Sequence, residues 1–390
     1  MNDLVDQQLP CPQSFSEIDS PQLVIFESAV ANNLEAMVRV LGGAHSVASL
    51  RPHLKTHKTE RLTRMQMDRG VVHFKASTIG EVAMAARAGA KSVLLAHQPV
   101  AKKIDAIAEL SLRFPQTSMA VIVDDLDHAR LLCDQYQRAT ASQETPLQLM
   151  IDVDVGMHRT GVSCDDALLG LWSALNGRPD ARLLGLHVYD GHLHQSDLSE
   201  RRRGVDEALQ QLLPVLNQLD VGSVVVGGTP TFELWVEAVQ AHQDATDWQF
   251  SPGTCTLWDW GYGDAYPDLP FTIGAGVLTR VVSHPSGRLD DQSQCVCLDL
   301  GTKAIAAEMS LEDRVRIHGL PEARLIAQSE EHLVISVSKD RELPIGTPLW
   351  ALPKHICPTV ARYDRALVCG GTGGDFDWQG IEPRDGIKNA

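Results

Sequence analysis

The sequence predicts an α/β fold, a (β/α)8 TIM-type barrel followed by a C-terminal all-β domain. Three observations predict it. Strand-like runs recur at about 46–54, 71–76, 92–97, 119–124, 147–153, 182–189, 223–227 and 248–252, and each of the first seven is followed by a helix-like segment. Strand, helix, strand at this spacing means parallel strands with helical crossovers, and eight such strands in about 230 residues have the size of a closed barrel. From about Phe271 the rhythm changes to strands separated by turn signals, with no convincing helix between them. An open doubly wound sheet is the alternative, but it would want a glycine-rich dinucleotide fingerprint after its first strand, and this chain has none.

The bulk numbers fit that architecture. A chain of 390 residues is longer than one compact domain needs. Hydrophobic residues make up 44% and charged residues 22%, enough apolar side chain for a large core. The formal net charge of −16 argues against nucleic acid or an anionic membrane as partner and fits a metabolic protein. The first residues carry neither a basic nor an apolar leader segment, and no apolar run reaches membrane-spanning length. The eight cysteines are scattered, as expected of reduced thiols in a cytoplasm.

Taken in order, residues 1–22 are a polar, proline-bearing lead-in, and Leu23–Phe26 reads as a short strand. Val30, Leu34, Met37, Val38 and Leu41 recur at helical spacing over 29–41. The barrel rhythm follows: a strand into Leu54, a helix from Thr59, a helix over 79–88 between Thr78 and Gly89, another over 126–137 after Asp124 and Asp125. In the second domain 277–282, 294–300, 323–327, 332–338 and 365–369 read as strands. The expected boundaries are 23–262 for the barrel and 271–390, with 1–22, for the β domain.

Barrels of this kind keep their chemistry at the C-terminal ends of the strands, and those ends collect unusual residues. Lys55 follows the first strand, within Arg51-Pro52-His53-Leu54-Lys55-Thr56-His57-Lys58. An isolated lysine there is usually a solvated charge, but lysine is also the side chain that forms Schiff bases. Arg159 follows the fifth strand and is expected to be buried with an anionic partner. Tyr189 stands at the end of the sixth, followed by His192 and His194, which read equally as general bases or as structural histidines. Gly227-Gly228-Thr229 ends the seventh strand and Gly253-Thr254 the eighth. Loops at those two strands commonly cradle phosphate with backbone N–H groups. Phosphate cradle, aromatic platform, arginine and lysine together describe a pyridoxal phosphate site.

In the β domain, His355-Ile356-Cys357 puts imidazole and thiol on one face of an extended segment. That donor pair suits zinc better than magnesium, although a histidine beside a buried cysteine is the plainer reading. Cys295 and Cys297 also share a strand face and read as core thiols.

Arg51-Pro52-His53 with Lys55-Thr56-His57-Lys58, Gly227-Gly228-Thr229-Pro230-Thr231, Ser251-Pro252-Gly253 and His355-Ile356-Cys357 together resemble the D-threonine aldolase / D-serine dehydratase family of fold-type III, alanine-racemase-like pyridoxal phosphate enzymes. The likeness spans about residues 20–375. It implies that Lys55 is the Schiff-base lysine, with Lys58 a lesser candidate, and that Tyr189 lies against the pyridine ring. It sets Arg159 near the phenolic oxygen and Gly227, Gly228, Thr229, Gly253 and Thr254 around the phosphate. His355 and Cys357 become ligands of a divalent metal, zinc by their chemistry. The family uses His-x-Cys in its dehydratases and His-x-Asp in its aldolases, so the resemblance tilts toward dehydration of D-serine over cleavage of D-threonine. It also implies a homodimer acting on small D-amino acids. A racemase would need a second base, and Tyr262, Tyr266 and Tyr363 are the tyrosines after the barrel strands. A non-catalytic pyridoxal phosphate carrier would lack the full β domain.

Overall fold

A computed structural model describes residues 9–42, 46–140, 145–242, 246–286, 292–370 and 375–384. In chain order the elements are β1 (Gln22–Phe26), α1 (Glu27–Val40), α2 (Glu60–Met67), β2 (His73–Ala76), α3 (Ile79–Ala88), β3 (Ser92–Leu95), α4 (Lys103–Arg113), β4 (Ser118–Val123), α5 (Leu126–Thr140), β5 (Leu147–Asp154), β6 (Val162–Ser163), α6 (Asp166–Leu175), β7 (Ala181–Val188), α7 (Leu198–Leu216), β8 (Ser223–Val226), α8 (Phe232–Gln240) and β9 (Asp247–Phe250). They continue with α9 (Trp260–Ala265), β10 (Ala275–Ser283), β11 (Ser293–Leu298), β12 (Val315–Ile317), β13 (Arg324–Gln328), β14 (Leu333–Ser338), β15 (Pro348–Pro353), α10 (Ile356–Val360), β16 (Arg365–Gly370) and β17 (Asp375–Gly380). The chain divides into two compact units, Met37–Gly253 with Glu382–Ala390, and Met1–Ala36 with Thr254–Ile381.

In the first unit a parallel sheet runs β2-β3-β4-β5-β7-β8-β9, with β6 as a two-residue addition beside β5. The expected first strand is not regular. Val47–Ser49 is a 3-10 turn, because the Ser46 hydroxyl accepts from Ala48 N and holds the backbone in a turn. Only the next few residues are extended, and they bridge both sheet edges. Arg51 N donates to Phe250 O and His53 N to Pro252 O, each at 2.8 Å, and Lys75 N donates to Pro52 O at 2.9 Å. Arg51 adds a side-chain clasp, Nε to Gln249 Oε1 at 2.6 Å and Nη1 to Phe74 O at 3.2 Å. The curled sheet thus closes through five residues rather than a full strand. Inside it Leu94, Ala120, Ile122, Met150 and Val225 pack together, drawn from β3, β4, β5 and β8.

Capping residues set the helix starts that position the strand ends. Thr59 Oγ1 accepts from Leu62 N and Thr78 Oγ1 from Glu81 N, each satisfying an amide with no partner inside its helix. Gly89 ends α3 in the left-handed region that glycine tolerates.

The second unit is a nine-stranded sheet, β13-β14-β11-β10-β1-β16-β17, with β15 pairing β10 and β12. β1 is an interior strand of it, antiparallel to β10 and parallel to β16. The strand at 22–26 therefore lies in this sheet and not at the start of the barrel, because two partners there bury Leu23, Val24 and Ile25 completely. In return, Glu382 N donates to Lys58 O and Glu382 pairs with Arg87 at 2.6 Å, which ties 382–384 to the first unit. β15 and β17 were hidden from sequence reading, β15 by the prolines at both its ends. The core of this unit gathers Val296, Leu298, Ile305, Ile335 and Ala351, all fully buried. Trp350 is also fully buried, edge-on to Phe15 and Phe26 with ring centroids 5.0 Å away in each case, and its indole N–H donates to Pro10 O at 2.7 Å.

Among the described residues no helix is long and apolar enough to cross a membrane.

Candidate active site

The strand ends of the first unit enclose a cavity of about 340 Å3, lined by residues that include His53, Lys55, Lys75, Asp152, Arg159 and Tyr189. The Tyr189 ring is its organising surface. Lys55 Nζ lies 5.9 Å from the ring centroid, Lys75 Nζ 5.3 Å and Arg159 Cζ 5.0 Å. Tyr189 can sit there because two glycines leave it room. A Cβ on Gly191 would stand 2.7 Å from Tyr189 Cζ, and one on Gly228 would stand 3.3 Å from Cε2.

None of these three cations makes an ion pair among the described residues, because the nearby carboxylates are engaged elsewhere. Asp152 accepts from His187 Nδ1 at 2.7 Å, Thr160 Oγ1 at 2.8 Å and Gln98 Nε2 at 3.1 Å. Burial pushes the Asp152 carboxyl up, but these hydrogen bonds outweigh it and hold its pKa below the ordinary value. Burial lowers the pKa of His187 more than Asp152 raises it, so the imidazole is neutral. Nδ1–H then donates to Asp152, and Nε2 is a buried acceptor with no partner among the described residues. Asp190 accepts from Trp235 Nε1 at 2.7 Å. Burial raises its pKa against the hydrogen bonds of Thr231 and Trp235.

Lys75, on β2, was not singled out from sequence because a lysine inside a strand reads as solvent-facing. It is only 2% exposed. Burial, then the charge of Lys55, brings its pKa down to about 7 against the pull of Asp190 and Asp152. Burial followed by Lys55, Lys75, His187 and Lys58 likewise keeps His53 well below the ordinary imidazole value. Lys58 takes no part in the cavity. Its ammonium pairs with buried Glu81, which also accepts from Ser77 N at 2.7 Å.

Arg159 corrects one expectation. It lines the cavity but is exposed and makes no ion pair among the described residues, because it sits on the loop after β5, where the chain has left the sheet. His192 and His194 do not line the cavity. The turn in which Leu193 N donates to Asp190 O at 2.9 Å carries them aside, His192 half-buried against Gly156 and His194 exposed.

The two glycine loops do come together. Gly253 N donates to Thr229 Oγ1 at 3.0 Å and Gly228 N to Thr231 Oγ1 at 3.2 Å. Gly227, at φ +76, sits where a Cβ would stand 2.8 Å from Trp235 Cδ1, so only glycine fits. All are buried, and the N-terminus of α8 follows directly. Volume, unpaired cations, an aromatic floor and buried glycine loops fit a flat ring carrying anionic groups, as pyridoxal phosphate is.

In the second unit, His355-Ile356-Cys357 is not extended. His355 is the N-cap of α10 and Cys357 lies in its first turn. Asp259 is the reason, since its Oδ2 accepts from Ile356 N at 3.0 Å and its Oδ1 from Tyr262 N at 2.9 Å, capping α10 and α9 together. Pro358 is tolerated in that first turn, where its missing N–H is not needed. His355 Nδ1 lies 2.9 Å from Glu308 Oε1, and Thr254 Oγ1 lies 3.8 Å from Cys357 Sγ. Burial would lower the pKa of His355, but Cys357, Asp259 and Glu308 raise it to about 9. These surroundings favour a cation. Among the described residues no group of three or more His, Cys, Asp or Glu could hold a metal, so the pair could supply two ligands with the rest from solvent or substrate, while Glu308 orients the imidazole. Cys295 and Cys297 are buried in β11, and Tyr363 Oη donates to Ala304 O at 2.8 Å.

The chain is 27% identical over 361 residues to a D-threonine aldolase of Arthrobacter, covering 90% of this chain and 89% of that one. It is 26% identical over 364 residues to a 3-hydroxy-D-aspartate aldolase of Paracoccus denitrificans, covering 90% and 88%. The solved D-threonine aldolase of Filomicrobium marinum superposes with a TM-score of 0.81 at 24% identity, over 95% of this chain and 97% of that chain, and so has the same fold. Residues 275–369 match the model of a putative serine dehydratase domain. Residues 25–255 match the alanine racemase N-terminal domain, and the chain belongs to that family, in the group that joins its barrel to a serine dehydratase-type β domain.

Proposed function

We propose that the protein is a pyridoxal phosphate- and metal-dependent lyase of β-hydroxy D-amino acids, converting D-serine to pyruvate and ammonia. The observation that carries the cofactor is the trio Lys55, Lys75 and Arg159 around the Tyr189 ring, without a carboxylate partner among the described residues. Lys75 is buried and Lys55 half-buried, with Arg159 at the exposed mouth; cations held away from water need anions nearby, and phosphate, phenolate and a substrate carboxylate supply them. Pyridoxal phosphate contributes an aldehyde for amines and an electron sink for the bond broken at Cα.

The chain's own groups divide the remaining work. Lys55 Nζ would hold the cofactor's aldehyde carbon and, as a free amine, would be the base for the Cα proton. Tyr189 supports one face of the ring, and Gly227, Gly228, Thr229, Gly253 and Thr254 hold the phosphate. Arg159 neutralises the phenolic oxygen. His355 and Cys357 hold a zinc-class ion, whose Lewis acidity suits the departure of a β-hydroxyl. Cys357, rather than a carboxylate, at that position and the serine dehydratase-type β domain support dehydration. The likeness to aldolases supports a second reading, cleavage of D-threonine to glycine and acetaldehyde.

One experiment separates them: incubation with D-serine, D-threonine and L-serine, with and without chelator, followed by product analysis. Pyruvate from D-serine should exceed glycine from D-threonine, and both should fall on chelation. L-Serine should remain, because Lys55 serves one face of Cα. Turnover of L-serine, or full activity without metal, would sink the reading.

A further inference from the structure

Two lysines face the Tyr189 ring, and the covalent chemistry needs one. We propose that Lys75 is a second, non-covalent ligand-binding lysine of this cavity, and that it takes up a proton when an anionic pyridoxal-type ligand binds. The proposal rests on the cofactor reading above.

The geometry isolates Lys75. It is 2% exposed on β2, lines the cavity and stands 5.3 Å from the Tyr189 centroid, without an ion pair among the described residues. The groups around it come from several elements. Arg51, His53 and Lys55 precede α2, His97 follows β3, Asp152 and His187 lie on β5 and β7, and Arg159 and Asp190 follow those strands. The cations among them oppose a charge on Lys75, and His53 and His187 are neutral. Asp152 is engaged with His187, Thr160 and Gln98, and Asp190 with Trp235. With its pKa at about 7, the amine is half protonated near neutral pH. A phosphorylated, phenolic ligand adds negative charge to a cavity whose own carboxylates are already engaged. That charge raises the pKa of Lys75, so binding draws in a proton.

The sign follows from linkage. A bound-state pKa above the free one makes affinity level below pH 7 and weaker above it, by up to about tenfold per pH unit. The probe is pyridoxine 5′-phosphate, which lacks the aldehyde and cannot couple to Lys55. Its dissociation constant would be measured between about pH 6.5 and 8.5 for the wild type, Lys75→Arg and Lys75→Gln. The ligand's own titration is common to all three and cancels. The wild type should weaken more steeply with pH than either variant. Lys75→Arg should stay tight at the alkaline end, since a guanidinium remains charged, and Lys75→Gln should bind at least tenfold more weakly at pH 6.5. Calorimetry in HEPES and Tris at pH 8 should register more proton uptake for the wild type than for either variant, a difference from which the ligand's own protons cancel and which one folded variant is enough to measure. Parallel pH profiles, or no excess proton uptake by the wild type, would overturn the role of Lys75 and leave the cofactor reading standing. A wild type that binds neither this probe nor pyridoxal phosphate would overturn both.

Discussion

Replacing Gly191 by alanine isolates the contribution of the Tyr189 platform. The added Cβ would stand 2.7 Å from Tyr189 Cζ and 2.8 Å from its Oη, whereas carbon atoms in contact prefer about 3.5–4.0 Å. The ring must therefore move by about 1 Å, and it cannot move toward Gly228, which already approaches its other edge. Gly191 has no positive φ, so the effect is steric and not a matter of backbone strain. Overpacking of this kind costs about 1–3 kcal/mol of stability. A reacting group displaced by about 1 Å costs on the order of 100-fold in kcat. The assay pairs kcat for D-serine with the absorbance of the bound cofactor and the thermal midpoint. Gly170→Ala in α6 is the control, because nothing lies within 4 Å of its Cβ, and alanine there should be neutral or stabilising by up to about 1 kcal/mol. A Gly191→Ala enzyme within twofold of wild-type kcat, with an unshifted spectrum, would refute the reasoning.

Lys55→Ala should abolish the covalent cofactor link, and borohydride reduction followed by peptide mapping should label Lys55 in the wild type; label on Lys58 or Lys75 would move the assignment. Trp350→Ala, which empties a fully buried site against Phe15 and Phe26, should lower the free energy of unfolding by about 3–5 kcal/mol in a urea titration, and a loss below about 1 kcal/mol would contradict that packing. His57 is neutral in the fold, its pKa lowered to about 3 by burial and then by Lys58, and His53 and His187 are lowered as well. The unfolded chain therefore binds more protons below about pH 6.5. Between about pH 8 and 7 the lowered Lys75 and the raised His355 act in opposite directions and offset. The urea midpoint should therefore change little there and fall as the pH drops below about 6.5; a midpoint that rises below about pH 6.5 would contradict these assignments. Asp259→Asn, which keeps one of the two acceptors joining α9 and α10, should cost about 1–3 kcal/mol by the same titration.

Much of the architecture is carried by local pattern. The period of apolar residues, the caps Thr59 and Thr78 and the stop at Gly89 act within a few residues of themselves, so α2, α3 and most barrel strands are legible in the sequence. The strand-end positions of Lys55, Tyr189 and the two glycine loops follow from the same rhythm. What the tertiary structure alone decided involves partners far away in the chain. β1 has the composition of any buried strand, and only its pairing with β10 and β16 assigns it to the antiparallel sheet. Lys75 became a cavity residue because the ring closes over it, and Arg159 proved exposed because its loop leaves the sheet. Asp259, 97 residues from the amide it caps at Ile356, turns the His355 segment into a helix start. A sequence specifies which side chains are available, but burial and the competition among charges are set by neighbours distant in the chain. Those neighbours decide which lysine is neutral, which histidine keeps an open lone pair and which carboxylates are already engaged.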